Sequence, residues 1–243
     1  MADTVPYRHL STIYDGGWSD YSEYIHHLIR EIERESRRNF RSVCDAACGT
    51  GLLMQLLRND TIDREVLGYD RSPEMIALAR ERNGDDRVVR GDLRDPIPVA
   101  GPFDLITCVY DSLNYLTEPD EIGSFLAAAR ERIAGDGLLL VDFNSRELYE
   151  RRRGQRRSRL VGGVPFRETL SFDPGPPPVA TTTFEFDDAS ETHIQRPWDP
   201  DEVEELMATT GWKEIDALDV VDEETDEASG KIVYLAVPAE HSK

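Results

Sequence analysis

The 243-residue sequence predicts a doubly wound α/β sheet interrupted once by a small antiparallel insertion. Three observations carry that reading. Between 42 and 143, short apolar runs alternate with helical stretches. A glycine-rich turn, Ala47-Cys48-Gly49-Thr50-Gly51, joins the first of those runs to the helix after it. From 146 to 196 the alternation stops, and runs of strand character follow one another around a proline-rich turn at 174–178.

In order along the chain, a short aromatic lead-in comes first, then an amphipathic helix. Tyr21, Tyr24, Ile25, Leu28, Ile29 and Ile32 recur at three-and-four spacing, and Asp20 with Glu23 predicts a capped start. Strands are predicted at 42–46, 66–70, 88–90, 105–110 and 138–143, and helices at 52–58, 73–82 and 119–133. Ser72-Pro73 is an N-cap followed by proline at the first helical position, where its missing N–H is no loss. Leu138-Leu139-Leu140-Val141 is apolar throughout, as a parallel strand covered on both faces requires.

The insertion is predicted as strands at 160–166, 167–172, 179–186 and 192–196. Phe166, Thr169, Leu170, Phe172, Phe184 and Phe186 give it one inward apolar face. Asp199-Pro200-Asp201-Glu202 then opens a helix with a capping box; Val203, Leu206 and Met207 form its inner face and Gly211 ends it. Two strands close the chain at 212–221 and 232–237, separated by an acidic stretch at 222–227. The expected organisation is one α/β domain over 1–145 and 197–243, with 1–40 as an N-terminal helical lid and 146–196 as a sheet capping the substrate.

Composition narrows the function. Lys plus Arg number 28 against 48 Asp plus Glu, a net charge of −20. A field of that sign repels phosphate backbones and anionic lipid, so nucleic acid and membrane are not expected partners. No apolar run approaches the ~18 residues of a membrane span. No leader is visible after Met-Ala-Asp-Thr, and three cysteines (Cys44, Cys48, Cys108) in apolar runs suit a reduced, cytoplasmic setting. Against the acidic background, 146–159 holds seven arginines. That island predicts either an acidic or phosphorylated substrate or a surface that neutralises nearby acids.

The glycine turn runs strand, turn, helix, so it brings backbone close to a ligand and offers unpaired helix N–H groups. Acids follow at the next strand ends. Asp70 is placed to accept hydrogen bonds from ribose hydroxyls, and Gly91-Asp92 to accept an adenine amino N–H. Competing nucleotide readings are weaker. A phosphate-binding loop needs lysine where Leu52 follows Gly51. An NAD site stays open on the ribose acid alone, with Gly91-Asp92 and the Cys48–Gly51 turn against it.

On Cys44-Asp45-Ala46-Ala47-Cys48-Gly49-Thr50-Gly51, Gly68-Tyr69-Asp70-Arg71-Ser72-Pro73-Glu74-Met75, Arg90-Gly91-Asp92-Leu93 and Phe103-Asp104-Leu105-Ile106, the chain resembles the class I S-adenosylmethionine-dependent methyltransferases. The resemblance covers 42–143 and, more weakly, the closing helix and strands. It implies a Rossmann-like seven-stranded sheet and S-adenosylmethionine as cofactor. It also implies that Asp45, Ala47, Gly49, Gly51, Asp70, Arg71, Met75, Asp92, Leu93 and Cys108 line the cofactor site. Ala47 stands where the family usually has its first glycine, which a methyl tolerates if the backbone keeps negative φ.

Past the fourth strand, Asp111-Ser112-Leu113-Asn114-Tyr115 is similar to a stretch of small-molecule methyltransferases of the glycine/sarcosine and sugar-amine N-methyltransferase type. The resemblance implies methyl transfer to a small molecule at nitrogen, in natural-product biosynthesis. Tyr14, Asp111 and Asn114 are the expected catalytic residues, and Tyr7, Tyr110, Tyr115, His193 and Arg196 the expected substrate contacts. No metal is expected, because no His/Cys/Asp group has ligand spacing. The expected partner is a small molecule, with the chain a monomer or homodimer. Two other readings stay open: cyclisation or rearrangement in the same pocket, or a non-catalytic partner protein using the arginine island.

Overall fold

A computed structural model describes residues 6–222 and 227–239. A 3-10 turn, Leu10–Ile13, leads into α1 (Tyr14–Ser36). There follow β1 (Ser42–Ala46), α2 (Leu52–Arg58), β2 (Glu65–Asp70), α3 (Pro73–Asn83), β3 (Val88–Arg90), β4 (Phe103–Cys108), a 3-10 turn at Ser112–Tyr115, α4 (Pro119–Arg132) and β5 (Ile133–Asn144). The second half is α5 (Arg146–Arg152), β6 (Arg156–Val161), β7 (Val164–Asp173), β8 (Val179–Glu185), β9 (Ser190–Gln195), α6 (Pro200–Thr209), β10 (Trp212–Asp222) and β11 (Glu227–Pro238).

Seven strands form one sheet in the order β10-β11-β5-β4-β1-β2-β3. β11 runs antiparallel to both β5 and β10, and the remaining pairs are parallel. Strand order reverses between β1 and β4, the position where open α/β sheets leave a crevice beyond their carboxyl ends. Apolar clusters cover both faces: Phe125, Leu126, Ile106 and Trp212 on one, Ile25, Ile29, Leu57 and Leu140 on the other. β6 to β9 form a separate antiparallel meander. The seven-stranded sheet and the second sheet agree with the fold expected from the sequence.

Local signals hold at several helix starts. Ser72 accepts from Met75 N–H at 3.2 Å, and Asp199 with Glu202 closes a capping box around Pro200. Two expectations need correction. Asp20 does not start a helix; α1 begins at Tyr14 and runs straight through it. The extra turns are stabilised by packing, because Tyr14 and Trp18 lie against Leu10, Val161, Phe166 and Phe184 of the lead-in and second sheet. Gly16 allows that approach: a Cβ there would stand 2.9 Å from Val161.

The second correction is the strand read at 160–166. The chain turns in its middle at Gly162 (φ 57) and Gly163 (φ 83), so β6 and β7 are a hairpin with Val161 paired to Val164. Two successive glycines with positive φ are the signature of a tight hairpin turn. Phe166, Leu170, Phe172 and Phe184 are buried on one face as expected, while Thr169 falls on the other by alternation. The acidic connector at 223–226 and His241 lie outside the described residues.

Candidate active site

Two clefts meet beyond the carboxyl ends of the parallel strands, and Tyr7, Tyr14, Tyr110 and Tyr115 line both. The first spans roughly 930 Å³ of atom-free space, open solvent at its mouth included. Its floor is the β1–α2 turn. Cys48 N–H donates to Tyr69 O at 3.0 Å, and Gly49 N–H to Asp70 Oδ2 at 2.9 Å. Gly49 has φ +53, and a side chain there would project into open space.

Ala47 departs from expectation. Its φ is +56, so the methyl sits in the left-handed region that was to be avoided. Such a conformation costs an L-residue about 1–2 kcal/mol. Gly51 also departs: a Cβ there would stand 2.4 Å from Asn83 Nδ2 and 3.1 Å from Ala79, so it serves α2–α3 packing and does not line the cleft. Cys108 is fully buried in the core and outside the lining.

Asp45, Ala47, Gly49, Asp70, Arg71, Met75, Asp92 and Leu93 do line it. Asp70 also accepts Ser72 N–H at 2.8 Å. Burial raises its carboxyl, although those backbone donors pull the other way. Asp45 is raised to about 7, by burial first and by the Asp70 charge, against a hydrogen bond from Thr107 Oγ1 at 2.7 Å. Asp92 is held by Arg94, which also bonds Glu121. Gly91 packs so closely that a Cβ would stand 2.8 Å from Pro98. Asp15, at the start of α1, accepts from Thr50 Oγ1 at 2.6 Å and pairs with Arg82 at 2.5 Å, fastening the helix to the glycine turn.

The second cleft lies between the main sheet and the meander. Asp111, Tyr149, Gln195 and His193 line it, with Arg152 and Arg157 also on its wall. Asp111 is not a free carboxylate. Lys231 Nζ donates to it at 2.9 Å, and Gln195 Nε2 donates to its other oxygen. Tyr110 (φ 62) and Asp111 (φ 50) are successive left-handed residues. Buried Asp142 holds them, accepting Tyr110 N–H at 2.8 Å, Asp111 N–H at 2.5 Å and Tyr21 O–H at 2.5 Å.

Asn114 and Arg196 fall outside both clefts. Asn114 is fully buried, donating to Asn144 O and Arg196 O and accepting Asn144 N–H, so its side chain ties β5 to the β9–α6 connection. Arg196 pairs with Glu202 at 2.7 Å and lies 3.9 Å from the Trp198 ring centre. Both were expected at the reacting end and are part of the frame. Sequence reading missed Glu191, Asp142 and Lys231, which act on the clefts from distant strands. An acid or a lysine at a strand end or in mid-strand was the only trace, and nothing in the sequence says which groups it meets.

Residues 43–147 match the family model described as a methyltransferase domain. The dTDP-3-amino-3,6-dideoxy-alpha-D-glucopyranose N,N-dimethyltransferase of Streptomyces fradiae is 29% identical over 130 residues, covering 54% of this chain and 49% of that protein. The chain spans about half the length of the curated relatives it matches. An S-adenosylmethionine-dependent methyltransferase structure from Clostridium acetobutylicum matches with TM-score 0.79 at 21% identity, over 96% of this chain and 99% of that one. CalS10, an amino pentose methyltransferase from Micromonospora echinaspora involved in calicheamicin biosynthesis, matches with TM-score 0.73 at 20% identity, over 98% and 100%. Residues 43–147 are therefore a methyltransferase domain, and the chain has the fold of the class I S-adenosylmethionine-dependent methyltransferases.

Proposed function

We propose that the protein transfers a methyl group from S-adenosylmethionine in the first cleft to an amine nitrogen of a small molecule in the second. The observation that carries this is the shared tyrosine wall: two clefts of different chemistry meet there, so a donor in one can face an acceptor in the other. The first cleft suits an adenosyl group. Asp70 ends β2 at the cleft, Asp92 follows just after β3, and Met75 and Leu93 offer apolar faces for a flat base. Asp45 suits the cationic methionine end, since a positive ligand favours its charged form. When bound, the sulfonium supplies a methyl carbon activated for attack by a lone pair.

The chain's own residues supply position. Asp15, Thr50 and Arg82 hold α1 across the first cleft, so Tyr14 and Tyr7 close over it and exclude water. The insertion of 146–196, α5 with the meander, caps the second cleft. Arg152 and Arg157 there have no acidic partner described, whereas Arg146 pairs with Asp199 and Arg159 with Glu168. In a −20 protein those two cations favour an acceptor carrying an anionic group. The Streptomyces relative, whose named substrate is a dTDP-linked amino sugar, supports an acceptor of amino-sugar type made for a natural product.

The test is turnover of labelled S-adenosylmethionine against a panel of amines that includes dTDP-linked amino sugars, read by mass spectrometry. Calorimetry on Asp70→Ala accompanies it. Losing that acceptor should weaken S-adenosylhomocysteine binding by roughly 1.5–3 kcal/mol. Equal binding by the variant would remove Asp70 from the cofactor site, and methylation of none of the amines would redirect the search to another acceptor atom.

A further inference from the structure

A line of hydrogen bonds runs from the junction of the clefts into the meander, and positioning alone does not call for it. Tyr7 Oη lies 2.8 Å from Tyr115 Oη, Tyr115 Oη 2.6 Å from His193 Nδ1, and His193 Nε2 2.8 Å from Glu191 Oε1. Its residues come from the lead-in, the turn after β4, and β9.

The far end sets the direction of every proton. Glu191 is fully buried. Burial would raise its carboxyl, but hydrogen bonds from His193 and from the His9 and Leu10 backbone outweigh that and hold it below the usual glutamate range. A carboxylate only accepts, so His193 Nε2 donates to it. In the neutral ring Nδ1 is then an acceptor, and Tyr115 donates to it. Tyr115 oxygen receives the Tyr7 proton in turn. Tyr7 is left with unused lone pairs on the wall common to both clefts. Burial pushes both phenols well above their usual range, so they pass protons without resting as phenolates.

Glu191 has a second set of partners. Its oxygens also accept the backbone N–H groups of Tyr7 at 3.1 Å, His9 at 2.7 Å and Leu10 at 3.3 Å. Tyr7 has φ 69, a strained conformation for a side chain of that size, and these bonds hold the segment in it. One carboxylate thus fixes the His193 tautomer and seats the tyrosine at the other end of the line.

We propose that Tyr7, Tyr115, His193 and Glu191 form a proton relay that takes the proton from an ammonium acceptor at the junction, and that Glu191 latches the lead-in so that the relay is complete only when that segment is seated. The proposal rests on the amine-methylation reading. An ammonium has no lone pair and cannot attack carbon. Its proton passes to Tyr7 Oη, the Tyr7 proton to Tyr115 Oη, and the Tyr115 proton to His193 Nδ1. The N–H bonding pair becomes the lone pair of the neutral amine, and the imidazolium stays paired with the Glu191 carboxylate. Tyr7 is the catalytic residue; Tyr115, His193 and Glu191 act through it. Across the second cleft His193 faces Asp111, paired with Lys231, and Glu168, paired with Arg159, with Arg152 on the same wall. Its partner on β8 is Thr182, which does not titrate.

The test is nitrogen-15 histidine NMR on the whole protein at pH 7.5, with S-adenosylhomocysteine binding measured by calorimetry on the same samples. His193→Gln assigns the signal. His193 should carry its proton on Nε2, its Nδ1 resonance should move in Tyr115→Phe, and the tautomer preference should be lost in Glu191→Gln. With the best acceptor from the screen above, His193→Gln should lower kcat roughly a hundredfold with KM within threefold. A proton on Nδ1 in the wild type, a His193 signal unmoved in Tyr115→Phe, or an unchanged kcat would overturn the relay. An intact Nε2–H tautomer beside no binding of S-adenosylhomocysteine would instead overturn the methylation reading, and the relay's role with it.

Discussion

The first cleft draws its carboxylates from three successive strand ends, Asp45, Asp70 and Asp92, and its turn is closed by Gly51 N–H to Cys48 O and by bonds to Tyr69 and Asp70 at the end of the adjacent strand. The second gathers Tyr7 from the lead-in, Asp111 from the turn after β4, Tyr149 from α5, and His193 and Gln195 from β9, with Lys231 of β11 behind them. Backbone strain follows the same division. Ala47 is strained in the first cleft alone, while Tyr7, Tyr110 and Asp111 are strained around the second, the two tyrosines on the wall that both clefts share. Those three are each held by a buried carboxylate from a distant strand, Glu191 or Asp142. Local chain geometry therefore shapes the cleft for the adenosyl group, and long-range charge-assisted hydrogen bonds shape the one for the acceptor.

The largest expected effect breaks the second arrangement at its floor. Asp142→Ala removes the acceptor of Tyr110 N–H, Asp111 N–H and Tyr21 O–H, and takes one of two carboxylates from half-buried Lys231. We expect a loss of about 3–5 kcal/mol in urea unfolding, since one partner of a buried charged network is gone. Asp142→Asn, which keeps one accepting oxygen, should recover part of it. A loss under about 1 kcal/mol in the alanine variant would mean that the Tyr110–Asp111 turn is held by other contacts.

The same division explains what the sequence made legible. Alternating apolar runs, the Ser72-Pro73 cap and the Asp199–Glu202 box are local, and each landed where expected. Asp70, Met75, Asp92 and Leu93 line the first cleft because strand ends in a parallel sheet meet one crevice by topology. The failures are tertiary. The Asp20 cap was overridden by Tyr14 and Trp18 packing on the meander. Asn114 sits in the right stretch, but its amide is consumed by Asn144 and Arg196. Glu191 reads as an ordinary charge in a strand, and its partners lie more than 180 residues away in the lead-in. The Gly162-Gly163 pair was a local signal and was readable as the hairpin turn.

An intermediate effect sharpens the electrostatics of the first cleft. Asp45 titrates at about 7 in the folded protein, above the ordinary carboxylate range near 4. Between those values the folded chain keeps a proton that the unfolded chain has released. Stability from this group is therefore present on the acid side, falls as pH rises through that window, and is fully lost above about 7. A cationic ligand reverses the preference, so S-adenosylmethionine should bind more tightly at pH 8 than at pH 6. Asp45→Asn should be more stable than wild type at pH 8, bind S-adenosylmethionine about tenfold or more weakly there, and lose the pH dependence of binding. Thermal unfolding and calorimetry across that range measure both. A binding pH dependence that persists in Asp45→Asn would assign it to another group.

The smallest effect tests whether strain in the first cleft can be relieved without cost to the site. Ala47 has φ +56, and the turn around it is closed by Cys48 N–H to Tyr69 O and Gly51 N–H to Cys48 O, bonds that do not need the methyl. Replacing it with glycine removes about 1–2 kcal/mol of left-handed strain. It also gives the unfolded chain more freedom, a cost of roughly 0.5–1 kcal/mol. The net expectation for Ala47→Gly is a gain of about 0.5–1 kcal/mol, or roughly 1–4 °C in Tm for a chain of this size. The contrast with Tyr110 makes the test informative. There the side chain itself bonds Ser22 and Trp18 O, so Tyr110→Gly relieves a similar strain but loses those bonds and a ring shared by both clefts. Tyr110→Gly should destabilise where Ala47→Gly stabilises. Two variants shifting Tm in the same direction would show that strain in the two clefts is held by the same means.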